Sequence, residues 1–106
     1  MVKKIAILYT TIESQEKAEA LTKLAISSKL AGCANITLGG KSIYFWQDNL
    51  EESEECYILF KTSLELVQDL KKFIIENHEY DTPSILIWEC ETSDDFYKYI
   101  GRILNL

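Results

Sequence analysis

The residues most able to bind a metal are the single histidine, His78, and the cysteine at the start of a strand, Cys33. His78, the only histidine, follows a helical pattern and precedes Pro83. A neutral imidazole nitrogen binds Cu²⁺ or Zn²⁺ well, so His78 is a candidate metal ligand. The alternative is a structural histidine that forms a hydrogen bond at a helix C-terminus, where positive charge is stabilised. Because the sequence offers no second histidine at ligand spacing, the structural alternative is favoured from the residues alone.

The cysteines indicate a reducing environment. Cys33, Cys56 and Cys90 are odd in number and none belongs to a CxxC motif, which is typical of a cytoplasmic protein. Cys33, at the start of a strand, can act as a soft ligand for Cu(I) or as a reactive thiol. The alternative is a small buried apolar residue, and this is favoured for all three, most strongly for Cys56 and Cys90.

Lys61 is a candidate anion-binding residue. It ends a strand directly before Thr62, and Thr62 and Glu65 have the spacing of a capping box, which predicts that a helix begins there. A lysine beside a helix N-terminus can hold an anion together with backbone N–H groups. The alternative is a surface lysine whose aliphatic stem lies along the protein.

The densest acidic run is predicted to be a solvent-exposed hairpin end. Carboxylates bind hard cations, but the run lacks EF-hand spacing and a strand sends alternate residues to opposite faces. Charged residues there also protect a strand edge from unwanted pairing. The run consists of Asp48, Glu51, Glu52, Glu54 and Glu55.

Composition limits the classes of protein. The 106 residues fit one domain, residues 1–106, and 47% hydrophobic with 26% charged residues is ordinary for a globular chain. Seventeen acidic against eleven basic residues give a net charge of −6, which disfavours nucleic-acid binding. No apolar run approaches the roughly 20 residues that span a bilayer, so no membrane association is expected.

Hydrophobic patterning predicts two strand–helix–strand units and a final helix. The first unit is a strand over 3–10, a helix from the N-cap Ser14 to about Leu30 with Gly32 as its stop, and a strand over 33–38. Gly39-Gly40 predicts a hairpin turn, followed by a strand over 42–46 and a second turn over 47–50. The second unit is a strand over 51–61, a helix over 62–77 and a strand over 84–89; Ser93 caps the last helix.

This order predicts an α+β fold, the ferredoxin-like split βαβ sandwich, with an extra β-hairpin arm and a C-terminal helix. Tyr44, Phe45 and Trp46 lie on the arm and are more large aromatics than a lone hairpin exposes to water. We therefore expect a partner subunit to cover them, with Tyr44 and Trp46 at the interface.

Four segments together resemble the CutA-type divalent-cation tolerance proteins. They are Leu-Ala-Gly-Cys-Ala-Asn over 30–35, Ser-Ile-Tyr-Phe-Trp over 42–46, Lys61-Thr62, and His78-x-Tyr80-x-x-Pro83. The resemblance extends from about Lys3 to Ile100. It implies a ferredoxin-like subunit in a tight homotrimer, with sheets joined edge to edge through the arm as in PII signalling proteins. It also implies a role in tolerance to copper and other divalent metals, and no established reaction.

Copper sites described in that family use a first-strand cysteine, the histidine and a glutamate after the proline. The matching positions here hold Tyr9, His78 and Ser84, so the resemblance implies an altered site unless Glu79 or Asp81 substitutes.

The cysteines thus predict a cytoplasmic protein, and the resemblance implies that it is a non-enzymatic homotrimer. It binds Cu²⁺ or another divalent metal, or a small anionic ligand, in a cleft between subunits that contains Cys33, Lys61 and Tyr80. Two alternatives remain open: a small enzyme that uses Cys33 or His78 in the same cleft, and a structural trimer that anchors partner proteins.

Overall fold

The computed structural model describes residues 2–106, which form a four-stranded antiparallel sheet and three helices. The elements are β1 (Lys3–Ile12), α1 (Gln15–Ser27), β2 (Cys33–Trp46), β3 (Asn49–Thr62), α2 (Val67–Asn77), β4 (Ile85–Thr92) and α3 (Asp94–Ile103). The strand order is β2-β3-β1-β4, the order of the ferredoxin-like fold, so the predicted fold class is confirmed.

The main core lies between one sheet face and helices α1 and α2. Alternate residues of β1 and β3, such as Leu8, Ile58 and Phe60, are fully buried there, as a strand with one covered face requires. Leu21 of α1 and Leu70 of α2 belong to the same cluster. This core fixes the sheet from which the functional side chains project.

Helix α3 packs on the opposite face of the sheet. Ile5, which alternates with the core residue Ala6 on β1, lines a cavity together with Ile100 of α3. The side chain of Ser93 accepts a hydrogen bond from the Phe96 N–H (3.2 Å), so the predicted cap is confirmed.

The distal halves of β2 and β3 leave the sheet as a two-stranded hairpin arm, residues 40–55. Strand β3 pairs with β1 only from Cys56 onward, whereas β2 and β3 stay paired out to Trp46 and Asn49. Gln47 and Asp48, both at positive φ, form the two-residue turn at the tip. The arm gives the chain its long dimension of 48 Å.

The predicted hairpin turn at Gly39-Gly40 is wrong. Strand β2 continues through both glycines, and the β2–β3 register shifts between Thr37 and Gly40 as in a β-bulge. Gly39 takes the positive φ of 75° at this bulge. The conformational freedom of the glycines is therefore used to bend a long strand where the arm begins.

Two predicted helix ends also differ from the structure. Helix α1 ends at Ser27 rather than near Leu30, because Lys29 takes a left-handed conformation with φ 62°. The capping box at Thr62 is wrong: its hydroxyl donates to the Leu30 carbonyl (2.7 Å) and α2 begins only at Val67. The Thr62 hydroxyl therefore connects the end of β3 to the loop after α1 and does not cap α2.

Candidate functional site

A cavity of about 480 Å³ lies on one face of the hairpin arm, where the loop after α2 approaches it. Strand alternation places arm residues on this face at every second position. Aromatic rings and carboxylates therefore meet at the same opening. The lining residues are Tyr44, Trp46, Ser53, Glu55, Tyr80, Asp81 and Thr82.

Glu55 is the buried charged group of this site. Glu55 is only 8% exposed. One carboxylate oxygen accepts a hydrogen bond from the Ser42 hydroxyl, and the other accepts one from the Tyr80 hydroxyl at 2.8 Å. Burial, and then the hydrogen bond to Glu55, raise the pKa of Tyr80 above its usual range. Tyr80 is therefore a stable hydroxyl donor that fixes the carboxylate toward the cavity.

This finding corrects the prediction that the whole acidic run is exposed to solvent. Glu51, Glu52 and Glu54 are exposed as predicted, but Glu55 is buried. Because all five residues of the run are acidic, their residue types do not indicate which one is buried. One signal was available: side chains alternate between the two faces of a strand, so Glu55 lies on the same face of β3 as the aromatic residue Tyr57.

His78 links the loop after α2 to the end of β1. Its Nε2 lies 2.7 Å from the Thr11 carbonyl oxygen, and its Nδ1 accepts the Tyr80 N–H at 3.1 Å. These partners assign the proton to Nε2. The ring is 8% exposed and 4.6 Å from the Tyr80 ring. The geometry matches the structural alternative, since both ring nitrogens are occupied.

We expect His78→Ala to lower the free energy of unfolding by about 1 to 2 kcal/mol, because it removes the partner of the Thr11 carbonyl. Chemical denaturation at fixed protein concentration measures this. Asn77→Ala is the matched control: its exposed side chain donates only to the Phe73 carbonyl (2.8 Å), so its effect should be smaller. Equal effects would contradict the structural role of His78.

Cys33 and Lys61 lie together at the other end of β3. They are register partners in the β2–β3 pairing, and the Lys61 ammonium donates to the Asn35 side-chain oxygen. Burial raises the pKa of the partly buried Cys33 thiol, and the nearby Lys61 only offsets this in part. The thiol is therefore protonated at neutral pH, which is the state of an unreactive cysteine.

The structure thus divides the predicted cleft residues into two groups within one chain. Tyr80 lies beside His78 and Glu55, whereas Cys33 lies beside Lys61. Glu55 and Lys61 are about 20 Å apart along β3 at the usual rise of a strand. Residues of the two groups can meet only across a subunit boundary.

The residues around His78 do not fit a copper site within one chain. Tyr9 at the first-strand position has a pKa raised by burial and by neighbouring Tyr57 and Glu55, which disfavours the phenolate that a metal requires. Glu79 is paired with the Lys17 ammonium. Across residues 2–106 the structure contains no group of three His, Cys, Asp or Glu side chains placed to hold a metal ion.

Two further observations bear on the expected environment. None of the three cysteines forms a disulfide in the described structure: Cys56 is buried, and Cys33 and Cys90 are partly buried. None of the helices within residues 2–106 has the length and hydropathy needed to cross a membrane.

The amino-acid sequence of the chain is similar to a family of known proteins. The model of the CutA1 divalent ion tolerance protein family matches residues 6–102. The divalent-cation tolerance protein CutA of Pyrococcus horikoshii is 33% identical over 95 residues, which cover 89% of this chain and 92% of that protein. The chloroplastic protein CutA of Arabidopsis thaliana is 30% identical over 99 residues, 93% of this chain; the chain spans about half (53%) of that plant relative.

Solved structures agree with these sequence relatives. The crystal structure of the divalent ion tolerance protein CutA1 from Ehrlichia chaffeensis superposes with a TM-score of 0.94 at 34% identity, covering 100% of this chain and 99% of that one. CutA from Synechococcus elongatus gives a TM-score of 0.93 at 25% identity, with 98% and 94% covered. On the family match and these likenesses, the chain belongs to the CutA1 divalent ion tolerance protein family.

Proposed function

We propose that the protein is a non-catalytic homotrimer that binds a small ligand where the hairpin arm of one subunit meets its neighbour, and that it acts in the cytoplasm. The observation that carries the proposal is the exposed apolar surface of the arm. Phe45 is 74% exposed and Trp46 is 62% exposed. Adjacent large aromatic side chains with this exposure indicate an interaction surface. Ile43, Tyr44 and Leu50 extend this surface.

The second face of the sheet supports the same assembly. Leu86 and Trp88 of the edge strand β4 are about half exposed, on the face that α1 and α2 leave uncovered. Apolar surface at both a projecting arm and a sheet edge fits closed, cyclic assembly through the arm. Tyr44 and Trp46 of the arm are the proposed interface anchors.

The ligand of the cleft is proposed to be a small molecule rather than copper held by His78. Both nitrogens of His78 form hydrogen bonds within the chain, and the two other family ligand positions hold Tyr9 and Ser84. The proposed function is binding rather than catalysis, because burial raises the pKa of the Cys33 thiol and because Cys33 and His78 lie apart along the sheet. Cys33 is in register with Lys61 and, through it, with Ile7 of β1, whereas His78 contacts Thr11, four residues further along β1.

Native mass spectrometry of the reduced, desalted protein tests this proposal. We expect a species at 36.6 kDa, three times the chain mass of 12.2 kDa. On stepwise addition of Cu²⁺, wild type and His78→Ala should take up copper equally, because His78 is not a ligand.

Two results would contradict parts of the proposal. A monomer at working concentration would refute the trimer. Uptake of one copper per chain in wild type, lost in His78→Ala, would restore His78 as a metal ligand and show that its ring reorients in the assembly.

A further inference from the structure

We propose that the cavity on the hairpin arm binds a small organic ammonium ion, held between Glu55 and the rings of Tyr44, Trp46 and Tyr80. The inference names the ligand class of the proposed cleft and rests on that proposal, since a neighbouring subunit would close the open side of the cavity. It replaces the anion expected from the sequence, because Lys61 lies at the other end of β3.

The first argument is the buried, uncompensated charge of Glu55. Burying a carboxylate is costly unless hydrogen bonds and an opposite charge stabilise it. Ser42 and Tyr80 supply two hydroxyl donors, but Glu55 takes part in none of the ion pairs among residues 2–106. A cation in the cavity would supply the missing charge.

The second argument is the chemistry of the walls. Three aromatic side chains line the cavity, and the faces of aromatic rings attract cations, with organic ammonium ions as the best-known guests. Asp81 adds a second carboxylate at the mouth, and none of the described lining residues is lysine or arginine. An anion would meet repulsion from both carboxylates.

The third argument separates an organic cation from a metal ion. Both Glu55 oxygens already accept hydroxyl hydrogen bonds, and Asp81 is exposed on the loop, so a compact set of oxygen ligands is missing. A volume of about 480 Å³ with aromatic walls suits a ligand of several carbon atoms. An ammonium group attached to an apolar carbon skeleton needs no set of oxygen ligands and fills a cavity with aromatic walls.

The test uses choline as the probe and 3,3-dimethyl-1-butanol, which has the same shape without the charge, as its neutral counterpart. Isothermal titration calorimetry of the 106-residue protein at low salt should show saturable choline binding and binding of the neutral alcohol weaker by about tenfold or more. Native mass spectrometry of the same sample reports the oligomeric state separately.

Two variants connect the binding to the site. Glu55→Gln keeps the shape of the side chain and one of its two acceptor oxygens but removes its charge, and it should weaken choline binding by about tenfold. Glu54→Gln, next to it but exposed, is the matched control and should bind choline as wild type does. Asp81→Asn, on the exposed loop, is a second variant that leaves the arm intact and should weaken binding by a smaller factor.

The outcomes separate this inference from the proposed function. Two results would contradict the ammonium site without affecting the proposed trimer. The trimer could bind choline no better than the neutral alcohol, or the Glu55→Gln variant could bind choline as wild type does. Displacement of choline by Mn²⁺ at equal concentration would identify a metal site and also overturns the ammonium site. Choline binding by a chain that stays monomeric supports the ammonium site while refuting the trimer.

Discussion

Replacement of Gly40 by alanine is expected to lower the free energy of unfolding by about 1 to 3 kcal/mol. A Cβ atom at this position would lie 2.6 Å from Cε1 of Tyr57 and closer still to Cζ and Oη. The ring is rigid, and its Oη accepts the Lys41 N–H at 3.1 Å, so moving it breaks a hydrogen bond at the base of the arm. Urea denaturation at one protein concentration measures the loss.

Gly101→Ala is the matched control for this prediction. Its Cβ would meet only the Leu106 carbonyl oxygen, at 3.8 Å, and it lies within α3. Alanine is there expected to raise the free energy of unfolding by about 0.5 to 1 kcal/mol, because glycine weakens a helix interior. Equal stability of Gly40→Ala and wild type would show that the Tyr57 ring moves freely and would contradict the packing of the bulge.

A double-mutant cycle makes the cause explicit. If the Tyr57 ring is the obstacle, Gly40→Ala should cost less in a Tyr57→Ala background than in wild type. The result matters for function, because the bulge fixes the direction in which the arm leaves the sheet. An arm held at another angle would present Tyr44 and Trp46 differently to a neighbouring subunit.

The same glycines show why the sequence predicts the fold but not the shape of the arm. The strands and helices follow from local patterns, such as the continuous apolar run Ile5–Tyr9, which predicts a buried strand. A Gly-Gly pair is compatible with a hairpin turn and with a bulge, and the choice depends on Tyr57, which is distant in sequence. The second predicted turn, over 47–50, is the one that the structure contains, with Gln47 and Asp48 at positive φ.

The candidate site was predictable only in part for a related reason. His78 stands out as the only histidine and Tyr80 through the resemblance, and their ring centroids lie 4.6 Å apart. The role of Glu55 was missed because burial of one acid within a run of acids depends on hydroxyl donors from Ser42 and Tyr80. Such donors come from separate segments, so only the folded chain reveals them.

Replacement of Trp46 by alanine is expected to dissociate the proposed trimer or to raise its dissociation constant strongly. Aromatic anchors at subunit contacts commonly carry roughly 2 kcal/mol or more of binding free energy, and a cyclic trimer contains the contact three times. Trp46 is 62% exposed near the tip of the arm, so its loss removes apolar surface without emptying the core. Sedimentation velocity over a dilution series measures the shift from 36.6 kDa toward 12.2 kDa.

Leu24→Ala provides the control, because Leu24 is also a large apolar residue, 47% exposed, but lies on α1 away from the arm. It should leave the association unchanged. A Trp46→Ala protein that stays fully trimeric at low micromolar concentration would move the interface away from the arm tip and toward Leu86 and Trp88 on the sheet edge. Selective loss of association in Trp46→Ala would instead connect the exposed aromatic arm directly to assembly, and through assembly to the closure of the cavity beside Glu55.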